Sequence, residues 1–206
     1  RGPGAGPSCG AAGDDDCCES RPVPGGTFLR SYDGVTCRDE RHPATVSPFS
    51  LDTYEVTVGR FRAFVEAGRG TQRAAPAAGE GAHPAIPGSG WEPAWNASLA
   101  PDSATLKSSL ACHPPFGSWT LEPGPDEALP INCVTWFEAF AFCAWDGGRL
   151  PTDAERGYVA SGGGEQRVYP WSDPPSDPGV DPSRAVFGAR RVEAAGARPR
   201  GNGRWM

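Results

Sequence analysis

Lysine is almost absent from this sequence: Lys107 is the only one in 206 residues, and Arg supplies the rest of the 19 basic side chains. With a formal net charge of −6 and no basic patch or stripe, the electrostatic footprint of nucleic-acid binding is missing. No apolar run reaches the about 18 residues that a membrane-spanning helix needs. The absence of any Cys-x-x-Cys removes the zinc-ribbon, thioredoxin and c-type haem readings. The absence of Gly-x-Ser-x-Gly leaves a hydrolase without its nucleophile elbow. Histidine is scarce, and His42, His83 and His113 each precede Pro in loop-like sequence, the pattern of bland surface residues. The chain opens on Arg1 and carries no signal-peptide h-region; a removed leader and a fragment each account for that. No internal repeat is visible.

What is present points to a packed but loop-rich domain. Hydrophobic residues make up 38%, below the roughly 45–50% apolar share of ordinary globular domains, although that share also counts Gly. With 28 Gly and 23 Pro the chain nears low complexity, yet 7 Trp and 9 Phe are too many aromatics for a disordered one. One domain plus tails fits the length. Seven cysteines, at 9, 17, 18, 37, 112, 133 and 143, scatter through Pro/Gly-rich sequence and suggest disulfides in an oxidising compartment. All seven are disulfide candidates: Cys9, Cys17, Cys18, Cys37, Cys112, Cys133 and Cys143. The odd count leaves one thiol free, intermolecular, or paired outside these residues.

Residues 1–22 are rich in Gly, Pro, Asp and Cys, with the run Asp14-Asp15-Asp16-Cys17-Cys18. They are expected to form a flexible leader with a local staple; a metal site there lacks a nearby His and a recognisable ligand spacing. After the Gly25-Gly26 turn, Thr27–Arg30 is predicted to be a strand. Residues 45–56 are expected to form a second, with Phe49, Leu51 and Thr53 on one face. Thr57 caps a helix whose Val58, Phe61, Phe64 and Val65 share a face, and Gly68 and Gly70 end it. Residues 68–130 read mostly as loop, in which Trp91, Trp95, Phe116 and Trp119 either cover a core as lids or line a groove. Thr135 and Glu138 make a capping box for a helix expected to bury Phe137, Phe140, Ala141, Ala144 and Trp145 before Asp146-Gly147-Gly148 stops it. Thr152 and Glu155 make a second box for a helix to Ala160, weakened by about 1 kcal/mol at Gly157. Residues 161–206 return to loop. His113 beside Cys112 suggests a disulfide and an exposed His rather than a metal site, and Asn96-Ala97-Ser98 fits a glycosylation sequon.

Four segments in order carry a family likeness: Val23–Phe28 (VPGGTF), Leu51–Val65 (LDTYEVTVGRFRAFV), Leu129–Glu155 (LPINCVTWFEAFAFCAWDGGRLPTDAE) and Tyr169–Trp171 (YPW). They resemble successive landmarks of the formylglycine-generating enzyme, or sulfatase-modifying factor, family, from about residue 23 to residue 206. Domains of this type in secreted or envelope proteins of predatory soil bacteria look most similar.

The resemblance implies an α+β fold, compact and related to C-type lectins, with little regular secondary structure. It implies a copper- and O2-dependent oxidase that converts a cysteine of a protein substrate to formylglycine. Relatives act in ergothioneine biosynthesis and pyoverdine maturation, so the fold alone does not fix the reaction. The family's catalytic cysteine pair lies in a later segment, so the domain is expected to be partial. No catalytic, cofactor-binding or metal-binding residue is assigned within these 206 residues, and the chain alone is expected to be inactive. A non-catalytic binding or structural module on the same fold is the alternative. The counterpart of Cys143 forms a structural disulfide with a cysteine of that later segment, as the resemblance implies; a small buried free thiol is the other reading. Two departures stand out. Arg156 occupies a position where the family usually has Trp, a change that costs several kcal/mol where such a site stays dry. Ala185-Val186-Phe187 lacks the side-chain oxygen that begins the family's calcium ligands, and Asp173, Asp177 and Asp181 nearby read as a solvated loop. The implied partner is a protein or peptide substrate, and the implied location is secreted, periplasmic or cell-envelope.

Overall fold

The computed structural model describes residues 4–112, 116–189 and 191–206; His113 lies outside the described residues. Among the described residues six short strands precede four α-helices: β1 Pro7–Cys9, β2 Asp15–Asp16, β3 Ser20–Val23, β4 Gly26–Leu29, β5 Pro43–Val46, β6 Phe49–Asp52, α1 Val58–Glu66, α2 Ser103–Leu110, α3 Trp136–Trp145 and α4 Asp153–Ala160. The class is α+β, with antiparallel two-stranded pairs β1–β2, β3–β6 and β4–β5.

The single strand expected over 45–56 is two. Ser47-Pro48 separates β5 from β6, because Pro offers no N–H to a ladder and bends the chain. β6 then leaves β4 and pairs with β3, from Ser20↔Asp52 to Val23↔Phe49. A matching corner lies at Gly25, where a Cβ would stand 2.5 Å from the Val46 carbonyl oxygen and 2.8 Å from Pro48 N. Only a glycine lets the two corners touch.

α1 begins as the sequence dictates: Thr57 Oγ1 accepts the Arg60 N–H at 3.2 Å. Its Val58, Phe61, Phe64 and Val65 are at most 2% exposed. They meet Phe142 of α3, which stacks on Phe61 with ring centroids 5.5 Å apart. α3 starts on the full Thr135/Glu138 box. It buries Phe140, Ala141, Phe142 and Ala144, while Phe137 is half-buried and Trp145 is 36% exposed. The sequence placed Trp145 inside and passed over Phe142. The packed side of α3 keeps Phe140, Ala141 and Ala144 of the stripe drawn from spacing and differs at its edges, since almost every residue of this helix is apolar and the pattern has little contrast.

The expected loop 68–130 contains α2, capped by Asp102, whose Oδ1 accepts the Thr105 N–H at 2.8 Å. Leu106 and Leu110, at i and i+4, are fully buried and join α1 and α3 in the larger core. Trp91 and Trp119, 1% and 5% exposed, are members of that core rather than lids over it. Trp95 packs edge-on to Trp91 and Trp136, and Phe116 faces solvent.

α4 belongs to a smaller cluster with Val23, Phe28 and Val46. Phe28 meets Tyr158 edge-on at 5.6 Å, and Gly157 leaves room for Phe28, whose ring would stand 3.3 Å from a Cβ there. Arg156 points to solvent, so the dry-site cost expected of it does not arise. Trp205 stacks on the far face of Tyr158 at 5.2 Å.

The stretch 4–22, expected as leader, is built into the fold. β1 and β2 form a hairpin closed by a Cys9–Cys17 disulfide, and β3 extends into the pairing with β6. Cys9, Cys17 and Ala195 are fully buried together, which ties this stretch to residues near the far end of the sequence.

Candidate functional site

A cleft of about 1580 Å³ lies between β6, the end of α3 and residues 184–189 and 191–206. Its floor is polar. Arg60, 5% exposed, reaches it from α1. Arg60 Nη1 lies 2.8 Å from Asp52 Oδ2 and donates to the Cys17 carbonyl at 3.1 Å. Nη2 donates to Asp146 Oδ2 at 2.7 Å, and the guanidinium sits 5.6 Å above the Phe142 ring. Burial opposes the Arg60 charge, but Asp52 and Asp146 outweigh it and hold its pKa above the ordinary value.

Cys143 lies in the same floor. Burial, with the Asp52 and Asp146 carboxylates adding to it, pushes its thiol up to about 11. A thiol so placed is protonated at neutral pH and is a poor nucleophile. The walls above carry Trp145, Val186, Phe187 and Met206, each at least 36% exposed. The cleft thus sets a polar floor under apolar walls.

The rim at 149–151 is tied to Glu155 at its back. Glu155, 2% exposed, accepts from Arg149 Nη1 and Nη2 at 2.7 and 2.5 Å and from the Thr152 N–H at 2.8 Å. Burial works against its charge, yet the Arg149 and Thr152 bonds lower its pKa to about 2. His83 Nε2 lies 3.4 Å from Glu155 Oε1 with the imidazole 13% exposed. Nδ1 accepts the Ala85 N–H at 3.1 Å, which leaves Nε2 to carry the proton toward Glu155. His83 is therefore a held, structural residue and not the surface one expected; His42, 54% exposed beside Asp39, is.

Among the seven cysteines two disulfides form, Cys9–Cys17 and Cys112–Cys133. Cys18 donates to the Ala5 carbonyl at 3.8 Å, Cys37 is exposed, and Cys143 is a half-buried thiol. The Asp run is used locally: Asp15 accepts from Tyr54 Oη at 2.5 Å, and Asp16 from the Cys18 N–H at 3.0 Å. Asp177 and Asp181 accept the N–H groups of Gly179 and Ser183 in their own loop. Among the described residues no group of three or more His, Cys, Asp or Glu converges to hold a metal ion.

Sequence reasoning missed Arg60, Asp52 and Asp146 as one cluster. A signal existed: Arg60 and Arg62 flank the apolar stripe of α1, and an arginine buried there needs an acid beside it. Arg62 finds Glu127, accepting at 2.7–3.0 Å, and lies 4.3 Å over Trp119.

Residues 12–199 match the model of the sulfatase-modifying factor enzyme 1-like domain. The chain is 33% identical over 165 residues to the mouse protein named inactive C-alpha-formylglycine-generating enzyme 2, an alignment covering 73% of this chain and 50% of the relative. It is 29% identical over 167 residues to the formylglycine-generating enzyme of Thermomonospora curvata, 73% of this chain and 51% of that one. With the hercynine oxygenase of Mycolicibacterium smegmatis it shares 30% over 192 residues, 87% of this chain and 40% of that one. The chain thus spans about half the length of the curated relatives it matches.

Proposed function

The chain belongs to the sulfatase-modifying factor enzyme 1-like domain family, and on that premise we propose that it is scaffold for a formylglycine-generating-type oxidase acting on a protein cysteine. Similarity to formylglycine-generating enzymes over most of the chain carries this reading, and the cleft gives it a place to hold an extended peptide. The fold is taken to be lectin-like and the location secreted, periplasmic or cell-envelope, in keeping with two disulfides and the redox compartment they require.

Copper and O2 are the chemistry the resemblance brings, and the residues described here do not fit a copper site. No ligand group converges, four cysteines are spent in disulfides, and Cys143 is held protonated where copper favours a thiolate. Calcium fares no better, since Val186 and Phe187 line the cleft with carbon and Asp177 and Asp181 are engaged by their own loop. No catalytic step is assigned to these residues. Their part is to bind and orient: Arg60 fixes Asp52 and Asp146 in the floor, while Trp145 and Phe187 present apolar walls.

The test uses the 206-residue protein and a cysteine peptide of Cys-x-Pro-x-Arg type. Binding is followed by fluorescence anisotropy, and thiol loss by mass spectrometry with copper and oxygen present. The reading expects saturable binding that Phe187→Arg abolishes, with the thiol intact. Absence of binding removes the peptide role; conversion by these residues alone removes the scaffold role. A second reading, a binding module without catalysis, is favoured by one observation: the 33% identical mouse relative is itself named inactive. Binding by the protein that carries this domain, with no conversion under any metal or oxygen condition, selects it.

A further inference from the structure

The hairpin at residues 7–17 touches three other parts of the molecule, and its strands have only three and two residues. So short a pair is not stable alone in water, which makes its Cys9–Cys17 crosslink the feature that keeps it formed. Outward from the crosslink the contacts are specific. The Gly10 N–H donates to the Ala195 carbonyl at 3.1 Å, and the Ala195 N–H donates in turn to the Ala128 carbonyl at 3.0 Å. Gly196 lies so close beneath that a Cβ there would stand 2.5 Å from the Tyr54 ring and 2.8 Å from Gly10 Cα. On the other side the Cys17 carbonyl accepts from Arg60, the centre of the cleft floor. Ala194, Gly196 and Ala197 are part of the cleft wall. The crosslink therefore fixes a floor residue and a wall segment that are otherwise far apart in sequence.

We propose that the Cys9–Cys17 hairpin is a redox-sensitive clamp on the cleft, which holds the 194–197 wall beside Gly10 and Tyr54 while oxidised and releases it when reduced. The reductant is a dithiol. Its thiolate attacks one sulfur of the pair, the Cys9–Cys17 bond breaks as a mixed disulfide forms, and the second thiol of the reductant displaces it. The reductant leaves as a disulfide, having supplied two electrons and two protons, and Cys9 and Cys17 are left as thiols. Once the hairpin frays, Gly10 no longer holds Ala195 and Arg60 loses one of its acceptors. Both disulfide sulfurs are fully buried, so the clamp responds to sustained reduction and not to brief exposure.

Amide hydrogen exchange reads the clamp directly. In Cys9→Ser/Cys17→Ser the amides of Gly10 and Cys17 are expected to exchange faster by on the order of 50-fold, the factor that loop-closure entropy gives for so small a ring, and that of Ala195, whose N–H is held by Ala128, faster to a smaller degree. Cys143 in the same cleft is expected to alkylate several-fold faster. Cys112→Ser/Cys133→Ser, which removes the other crosslink, leaves Ala195 unchanged. Should the first variant fail to fold, the same amides are followed in the unmodified protein during titration with dithiothreitol, with differential alkylation to show which disulfide has opened. Acceleration at Gly10 and Cys17 with Ala195 and Cys143 unaltered overturns the proposal and leaves a local staple.

Discussion

Replacing Glu155 by Gln removes one charge and almost no volume, which makes it the sharpest test of how the cleft rim is held. Glu155 is 2% exposed and receives three hydrogen bonds, two of them from Arg149. Its pKa stands near 2 against an ordinary 4.5, a gap of about 2.5 units and so about 3 kcal/mol of stability at neutral pH. Breaking a buried pair by removing one partner costs about 3–5 kcal/mol, and here the lower end applies because Arg149, 18% exposed, can turn partly to water. Glu155→Gln is thus expected to lose about 3 kcal/mol, a fall in Tm of roughly 6–12 °C for a chain of this size.

Urea unfolding followed by tryptophan fluorescence measures the loss, and repeating it across pH isolates the charge. The folded pKa lies below the unfolded one. The contribution is therefore complete above about pH 4.5 and disappears as pH falls toward 2. Glu155→Gln has no such group, so the gap between variant and parent should close over that interval. A variant within about 0.5 kcal/mol of the parent at pH 7, the range of an ordinary surface change, would refute the buried-pair account. So would a gap that stays constant down to pH 2.5.

Two further outcomes follow from local geometry. With its thiol near 11 instead of 9.0, Cys143 should alkylate at pH 8 about a hundredfold more slowly than an unperturbed thiol, its rate still climbing to pH 11; peptide mapping after iodoacetamide checks this, and a plateau near pH 9 contradicts it. Gly70, at φ 75° with a would-be Cβ 2.7 Å from the Phe64 ring, should lose about 2–4 kcal/mol on change to Ala, whereas Gly68, at φ 74° in open space, should lose only about 1–2, a difference thermal unfolding resolves.

The parts legible in the sequence are those governed by neighbours in the chain. Thr57, Thr135 and Thr152 each announce a helix because capping is decided within four residues, and all three helices begin where those residues place them. α2 was legible on the same terms, through Asp102 with Leu106 and Leu110, but its short run lies in a stretch whose Gly, Pro and Ala outweighed the cap. The β5–β6 break turns on Pro48, and its consequence depended on a partner strand more than twenty residues earlier. Nothing local indicates that Cys9 and Cys17 close over Ala195. That contact spans nearly the whole sequence, and composition alone makes the same residues look like a solvated leader.

The candidate site was the least legible part, for one physical reason. Arg60 and Arg62 flank the apolar stripe of α1 and are buried with it, and a charge there is tolerable only with an acid beside it. Sequence can state that requirement but cannot name the acid. Arg60 takes Asp52 from a strand and Asp146 from the end of α3, 86 residues away, while Arg62 takes Glu127 from a turn. The two arginines thus do different work from positions two residues apart: one closes a core, and the other, at the same depth, opens onto the cleft. The Cys17 carbonyl on Arg60 links that floor to the crosslinked hairpin, so the segment least like a domain by composition helps to set the geometry of the site.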